Sequence, residues 1–281
     1  MIGILHPGEM GSAVALTIQN AGNTVLWSSE GRSARSYKRS AELGLTDAGT
    51  LEQLCSQCSA IVSVCPPEFA DHVADAVLDC SFRGLFIDAN AISPERVERM
   101  GRRVTAAGAS FVDASIIGLA TREPGRVWIY FSGEKAPEAA ALFGKVGPLQ
   151  PEVIPGPIGR ASALKMCYAG YNKGAAALLC ATLAAAEQLG VRELLKHQWE
   201  RSDREMASAE KKASRVAAKA WRFAPEMREI AETFEGAGMT PEFHRAAEQI
   251  YAAMERFKDA QMDIGEIVEA LKDGQAKACP A

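Results

Sequence analysis

The chain opens Met1-Ile-Gly-Ile-Leu5, continues His6-Pro-Gly-Glu-Met-Gly11 and runs on into Ser12-Ala-Val-Ala-Leu-Thr-Ile18. The first stretch is a short apolar run suited to a buried strand. The second is a glycine-bearing turn, and the third opens a helix of small residues. A helix that starts this way aims bare backbone N–H groups and its positive dipole end at whatever lies over the turn, and a pyrophosphate suits that place. The turn departs from the usual G-x-G-x-x-G: His6 stands at the first glycine position, while Gly8 and Gly11 keep the other two. Gly8 lets phosphates approach the backbone, and Gly11 lets helix and strand pack closely.

Outward from this turn the same grammar repeats. Thr24–Trp27, Ala60–Cys65, Gly84–Asp88, Ala109–Asp113 and Arg126–Ser132 read as strands, with Pro66-Pro67 stopping the second of these. Helices are predicted over Pro67–Leu78 and Pro94–Ala107 between them. Continuous apolar strands alternating with helices predict a parallel sheet covered on both faces. From Gly159 strand signals vanish, and apolar residues fall at helical spacing, as in Leu164, Cys167, Tyr168, Tyr171 and Ala175. The fold class is therefore an α/β Rossmann-type N-terminal domain over residues 1–158 and an all-α C-terminal domain over 159–281. Pro155-Gly-Pro157 is the hinge, and the tail Gly274–Ala281 is expected to fray.

Composition narrows the function. Of 281 residues 48% are hydrophobic, enough for a sizeable core, and the formal net charge of -4 gives no support for nucleic-acid binding. No apolar run approaches a membrane span, and no basic leader precedes the first strand, which together point to the cytoplasm. Seven cysteines, an odd number mostly placed inside apolar runs, fit reduced thiols. Cys55-Ser-Gln-Cys58 has C-x-x-C spacing but no second pair and no nearby histidine, so no metal is expected.

Four segments then resemble one known group in order and spacing: Gly3–Gly11, Ser63-Val-Cys-Pro-Pro67, Asp88-Ala-Asn-Ala-Ile-Ser-Pro94 and Gly159-Arg-Ala-Ser-Ala-Leu-Lys165. The chain resembles the β-hydroxyacid dehydrogenase superfamily, which includes 6-phosphogluconate and 3-hydroxyisobutyrate dehydrogenases. Within it the chain is similar to phosphogluconate-dehydrogenase-like oxidoreductases with a distinctive helical C-terminal domain. The resemblance implies hydride exchange between a nicotinamide cofactor and a small-molecule alcohol or carbonyl, in a cleft between the domains of a homodimer. It makes Lys165 the general acid–base group. That role is chemically sensible, because hydride addition to a carbonyl leaves an oxyanion that an ammonium can stabilise and protonate. With the turn and the stretch after the second strand read from their own residues, the expected cofactor contacts are His6, Pro7, Gly8, Glu9, Met10, Ser29, Arg32, Ser33, Cys65, Pro66 and Asn90. Substrate contacts fall to Ile117, Gly118, Leu119, Tyr168 and His244, the last a histidine near a predicted helix start.

Two departures bear on the substrate. Ala169 stands where the family often has asparagine. Ile117-Gly118-Leu119 stands where it has Ser-Gly-Gly, so a partly apolar substrate is expected, with any acid group met elsewhere, by Arg122 or His244. Asp113–Leu119 is also similar to the matching stretch of imine reductases, but these usually carry Asp or Tyr where this chain has Lys165. A non-catalytic dinucleotide-binding protein is the competing reading from another class.

Cofactor choice is read from Ser28-Ser-Glu-Gly-Arg-Ser33. Glu30 could bond the ribose hydroxyls of NAD, while Arg32 and Ser33, with Ser29, suit a 2′-phosphate. Arg35, Lys38 and Arg39 add positive charge, so NADP is favoured, with NAD possible.

Overall fold

The computed structural model describes residues 1–202, 209–258, 260 and 262–278. The opening apolar run forms β1 (Ile2–Ile4), fully buried, and the glycine turn leads into α1 (Glu9–Asn20). There follow β2 (Val25–Ser28), α2 (Ala34–Glu42), β3 (Thr46–Gly49), α3 (Leu51–Gln57), β4 (Ala60–Ser63), α4 (Ala70–Asp79), β5 (Leu85–Asp88) and α5 (Pro94–Ala106). After these come β6 (Ser110–Ile117), β7 (Val127–Ser132), α6 (Ala136–Phe143) and β8 (Leu149–Val153). The strands form one eight-stranded sheet in the order β3-β2-β1-β4-β5-β6-β7-β8. Strand order reverses between β1 and β4, which opens a crevice at the carboxyl ends, the place where such sheets take ligands.

Both faces are covered, as continuous apolar strands require. Val14 and Ile18 of α1 and Phe143 of α6 pack with Ile4, Val62 and Phe131 on one face. Leu54 of α3, Val77 of α4 and Val97 and Met100 of α5 pack with Ile61 and Phe86 on the other.

The sheet is not wholly parallel: β7 runs antiparallel to β6. Only residues 118–126 connect them, too few for the crossover that a parallel neighbour needs. Two strands were not expected from the sequence. β3 is Thr46-Asp-Ala-Gly49, a polar edge strand, and β8 carries Pro151, which an edge strand tolerates.

Two compact units divide the chain, Met1–Met166 and Cys167–Ala281. The division falls within the span of α7 (Arg160–Gln188), whereas the sequence placed it after residue 158. In the second unit α8 (Arg192–Ser202), α9 (Ala209–Ala217), α10 (Ala220–Gly236), α11 (Glu242–Ala253) and α12 (Ile264–Ala278) follow, with no strand among the described residues. Its core gathers Cys180, Leu183, Met227, Ile230 and Tyr251. The Tyr251 hydroxyl donates to the Lys173 carbonyl at 2.6 Å, and Lys173 pairs with Glu226. Of the tail expected to fray, residues 274–278 are helical, and 279–281 lie outside the described residues.

Candidate active site

Gly8 is the N-cap of α1, and no side chain caps the amides that follow it. The two retained glycines are held for different reasons. A Cβ at Gly11 would stand 2.0 Å from the His6 carbonyl oxygen, so strand and helix can pack only against glycine. A Cβ at Gly8 would meet nothing within 4 Å. Uncapped amides facing open space at a helix N-terminus are what a pyrophosphate requires. His6 lies against the same turn, and its Nδ1 is buried with no hydrogen-bond partner. Burial, and then the charge of Arg32, lower its pKa to about 4, so the imidazole is neutral. A buried ring nitrogen without a partner is rare and fits a ligand-borne one. Pro7 is buried, Met10 packs on the core beneath, and the exposed Glu9 lies 3.6 Å from Arg39.

At the end of β2, Ser29 is buried and Glu30 is exposed. Arg32 Nε donates to the Ser28 carbonyl at 3.4 Å, and the guanidinium is half-buried, with its proton affinity lowered by that burial. Ser33 caps α2, its hydroxyl accepting from the Ser36 amide at 3.3 Å.

The ends of β4 and β5 are clamped by Asn90. Its Oδ1 accepts from the Cys65 amide at 2.6 Å, and its Nδ2 donates to Ser63 Oγ at 3.1 Å and to Asp88 Oδ1. Asn90 thus shapes the backbone at Cys65 and Pro66 as much as it could touch a cofactor. Burial pushes the Cys65 thiol up to about 12.

Asp88 and Asp113 are register partners on β5 and β6, and both are fully buried. Asp113 receives four hydrogen bonds. Oδ2 accepts from Ser132 Oγ at 2.8 Å and from the amides of Gly159 at 3.0 Å and Ser162 at 3.1 Å, and Oδ1 accepts from Ser162 Oγ at 2.7 Å. Burial raises its pKa, and the donors, Ser162 foremost, pull it back. Asp88 takes hydrogen bonds from the Asn90 amide and side chain, and burial and then the Asp113 charge push it up to about 7. The four donors favour the charged form of Asp113, while burial and its neighbour's charge favour the protonated form of Asp88.

Lys165 lies on α7, and its Nζ donates to the Ile116 carbonyl of β6 at 2.9 Å. Next along that strand Ile117 is half-buried. Gly118 has φ +136°, and Leu119 is 75% exposed. Arg122, expected as an anchor for a substrate acid, is paired with Glu42 at 2.9 Å.

The first unit therefore brings His6, Gly8, Arg32, Cys65 and Asn90 to the carboxyl ends of β1, β2, β4 and β5, and Lys165 to that of β6. Tyr168 and His244 belong to the second unit. Tyr168 is half-exposed, whereas His244 is buried against Phe234 and Phe243, its Nδ1 without a partner and its pKa lowered by burial. Sequence reasoning missed Asp88, Asp113, Ser132 and Ser162. The available signal was an acid at the end of each of two apolar strands. Among the described residues no group of three or more His, Cys, Asp or Glu could hold a metal ion, and no helix is long and apolar enough to cross a membrane.

Residues 1–147 match the family model for the NAD binding domain of 6-phosphogluconate dehydrogenase. Residues 186–254 match a domain of unknown function, DUF1932. A curated relative, an uncharacterized 28.5 kDa protein from the 7S RNA 5′ region of Methanothermus fervidus, is 28% identical over 162 residues. The match covers 58% of this chain, and the chain spans 61% of that relative's length. A solved conserved protein of unknown function, MTH1747, described as structurally similar to 3-hydroxyacid dehydrogenases, is 28% identical over 99% of both chains with a TM-score of 0.67. The fold is also that of Mycobacterium tuberculosis 3-hydroxyisobutyrate dehydrogenase solved with L-serine: 15% identity, 96% of this chain and 98% of that one, TM-score 0.69.

The buried acid pair yields a test. Asp88 holds its proton to about pH 7 in the folded chain and only to about 3.8 when exposed. Between those limits the native state binds the extra proton, so this group's contribution to stability falls as pH rises from about 4 to about 7 and then levels. Asp88→Asn keeps the shape and removes the ionisation. It is expected to melt several degrees above the parent at pH 8, at roughly 2–4 °C per kcal/mol, with the gain gone at pH 4. Melting curves across that range check this, and a pH-independent difference would contradict it.

Proposed function

The chain belongs to the family built on the NAD binding domain of 6-phosphogluconate dehydrogenase, and from that premise we propose that it is an NADP-dependent oxidoreductase acting on an alcohol or carbonyl substrate of hydroxy-acid-like type, with Lys165 as general acid–base. The observation that carries this reading is the position of Lys165 Nζ, 2.9 Å from the Ile116 carbonyl at the carboxyl end of β6. When bound, the nicotinamide cofactor supplies or accepts the hydride.

The chain's own residues do the rest. The bare amides after Gly8 and the positive end of α1 hold the pyrophosphate, and neutral His6 offers a ring nitrogen beside it. Arg32, half-buried beside the turn, holds the 2′-phosphate with Ser29 and Ser33 nearby, which favours NADP over NAD. In reduction a substrate oxyanion develops, and the Lys165 ammonium stabilises it and gives up a proton; in oxidation the amine takes that proton back. The Ile116 carbonyl sets where Nζ sits. Ile117 and Leu119 offer no hydrogen bond to a carboxylate, and an acid left bare against them would be costly, so the substrate carries an apolar group there.

We place the enzyme in the cytoplasm as a homodimer. Tyr168, Tyr171 and Leu178 recur at helical spacing along α7 and are 52%, 78% and 55% exposed, an apolar stripe suited to a second copy. The purified chain is expected to sediment at twice its mass and Tyr171→Glu at the monomer mass. A monomeric parent overturns the dimer.

Turnover of NADPH and NADP with a panel of hydroxy acids, apolar-flanked alcohols and carbonyls, and cyclic imines tests the reaction class. Lys165→Met is expected to cost roughly a hundred- to ten-thousand-fold in rate with cofactor affinity little changed. Near-normal turnover by that variant removes the lysine from the chemistry, and turnover of imines alone shifts the reading to imine reduction.

Titration of both cofactors tests the preference. Arg32→Ala is expected to weaken NADP by about 1.5–3 kcal/mol, the range of a charge-assisted contact, and to leave NAD nearly unchanged. Equal affinities in the parent chain would refute it.

A further inference from the structure

We propose that Asp113 is the positioning residue for Lys165: it fixes α7 against β6 so that the ammonium is delivered to one place at the carboxyl edge of the sheet. The proposal rests on the acid–base reading of Lys165 and adds to it a residue that touches neither substrate nor cofactor.

The geometry is a two-point attachment. On β6, Asp113 and Ile116 are three residues apart. On α7, Ser162 and Lys165 are three residues apart, a spacing that puts both on one helix face. Asp113 takes Ser162 by both its amide and its hydroxyl, and Ile116 takes Lys165 by its carbonyl. One strand thus grips one helix face at two successive points, with the carboxylate at the first and the working ammonium at the second.

The grip at the first point is unusually complete. The amides of Gly159 and Ser162 both donate to Asp113 Oδ2, and the amide of Ala161 donates to Ser132 Oγ at 3.0 Å. Ser132 in turn donates its own hydroxyl proton to Asp113. Three amides at the start of α7 are therefore caught by one carboxylate and the serine it holds. A negative charge at this end also suits the helix dipole. Gly159 makes the approach possible. Its φ of +100° is strained for any side chain, and a Cβ there would stand 2.9 Å from Glu98 Oε1.

Both rotation of α7 about its axis and its register along β6 are set at Asp113. A slip in either moves Nζ, and a misplacement of about 1 Å in a reacting group can cost on the order of a hundredfold. A carboxylate used only to cap the helix would protect stability and leave Lys165 indifferent, and this difference is what the test reads.

The experiment uses the full chain and two variants. Asp113→Asn keeps shape and removes charge. Ser162→Ala removes one of the four hydrogen bonds and leaves the helix start otherwise intact, so it serves if Asp113→Asn does not fold. Lysines are reductively methylated with ¹³C-formaldehyde, and the Lys165 resonance, assigned by its loss in Lys165→Met, is followed by NMR without any substrate. Both variants are expected to move that resonance toward the position of solvent-exposed lysines. On a substrate found by the panel, kcat is expected to fall roughly ten- to a hundredfold, with KM and NADP affinity changed less than threefold. A lower melting temperature with an unmoved Lys165 resonance and unchanged kcat would overturn the proposal and leave Asp113 a helix cap. If Lys165→Met itself turns over normally, the acid–base reading fails, while the NMR arm still decides whether Asp113 positions Lys165.

Discussion

A carboxylate removed from water must be compensated in full or it takes up a proton. Asp113 is compensated by four donors drawn from three elements, β7, the turn at Gly159 and the start of α7. Those bonds are long-range in sequence, spanning 19 to 49 residues. They join the antiparallel end of the sheet to the helix that enters the second unit. Loss of the acceptor would strand two buried hydroxyls and two amides at once, each costing about 1–3 kcal/mol, so the placement of α7 and the stability of this corner share one origin.

The neighbouring Asp88 shows the other outcome of the same rule. It sits at the matching position of the adjacent strand, equally buried, and among the described residues its donor is Asn90 alone. Two like charges on facing residues would repel. The sheet resolves this by letting one acid keep its donors and the other its proton. Asn90 gains from that arrangement, since the Asp88 carboxyl anchors its amide while its oxygen holds the Cys65 amide. The backbone shape at the ends of β4 and β5 is thus set by the same pair that sets α7.

What was legible in the sequence was whatever depends on near neighbours. The strand, glycine turn and helix at residues 2–20 follow from local periodicity, and Gly11 is required by a carbonyl only five residues before it. Lys165 stood out as a candidate because a short motif surrounds it. Asp113 was not, because an acid closing an apolar strand also reads as a plain strand end, and its partners lie far along the chain. β3 and β8 were missed for a related reason. Edge strands need little apolar pattern, and Thr46-Asp-Ala-Gly49 and Leu149-Gln-Pro-Glu-Val153 carry little. The reversed direction of β7 was available in principle from the shortness of residues 118–126, a geometric clue that apolar patterning does not express.

The chain as a whole carries a formal charge of -4, yet the carboxyl edge of its sheet is prepared for an anion. Of the carboxyl groups there, Asp88 is neutral over most of the acidic range, Asp113 is spent on internal donors, and Glu9 at the mouth of α1 has Arg39 beside it. Against them stand the dipole of α1, the half-buried Arg32 and the ammonium of Lys165. Neutral His6 adds a hydrogen-bonding nitrogen without adding charge. A phosphate-bearing ligand approaching the glycine turn meets these compensated groups, with exposed Glu30 beside them at the end of β2, so net charge alone does not describe the field there. Local compensation decides the field that a ligand feels at contact, because exposed charges beyond about 10 Å are screened by salt.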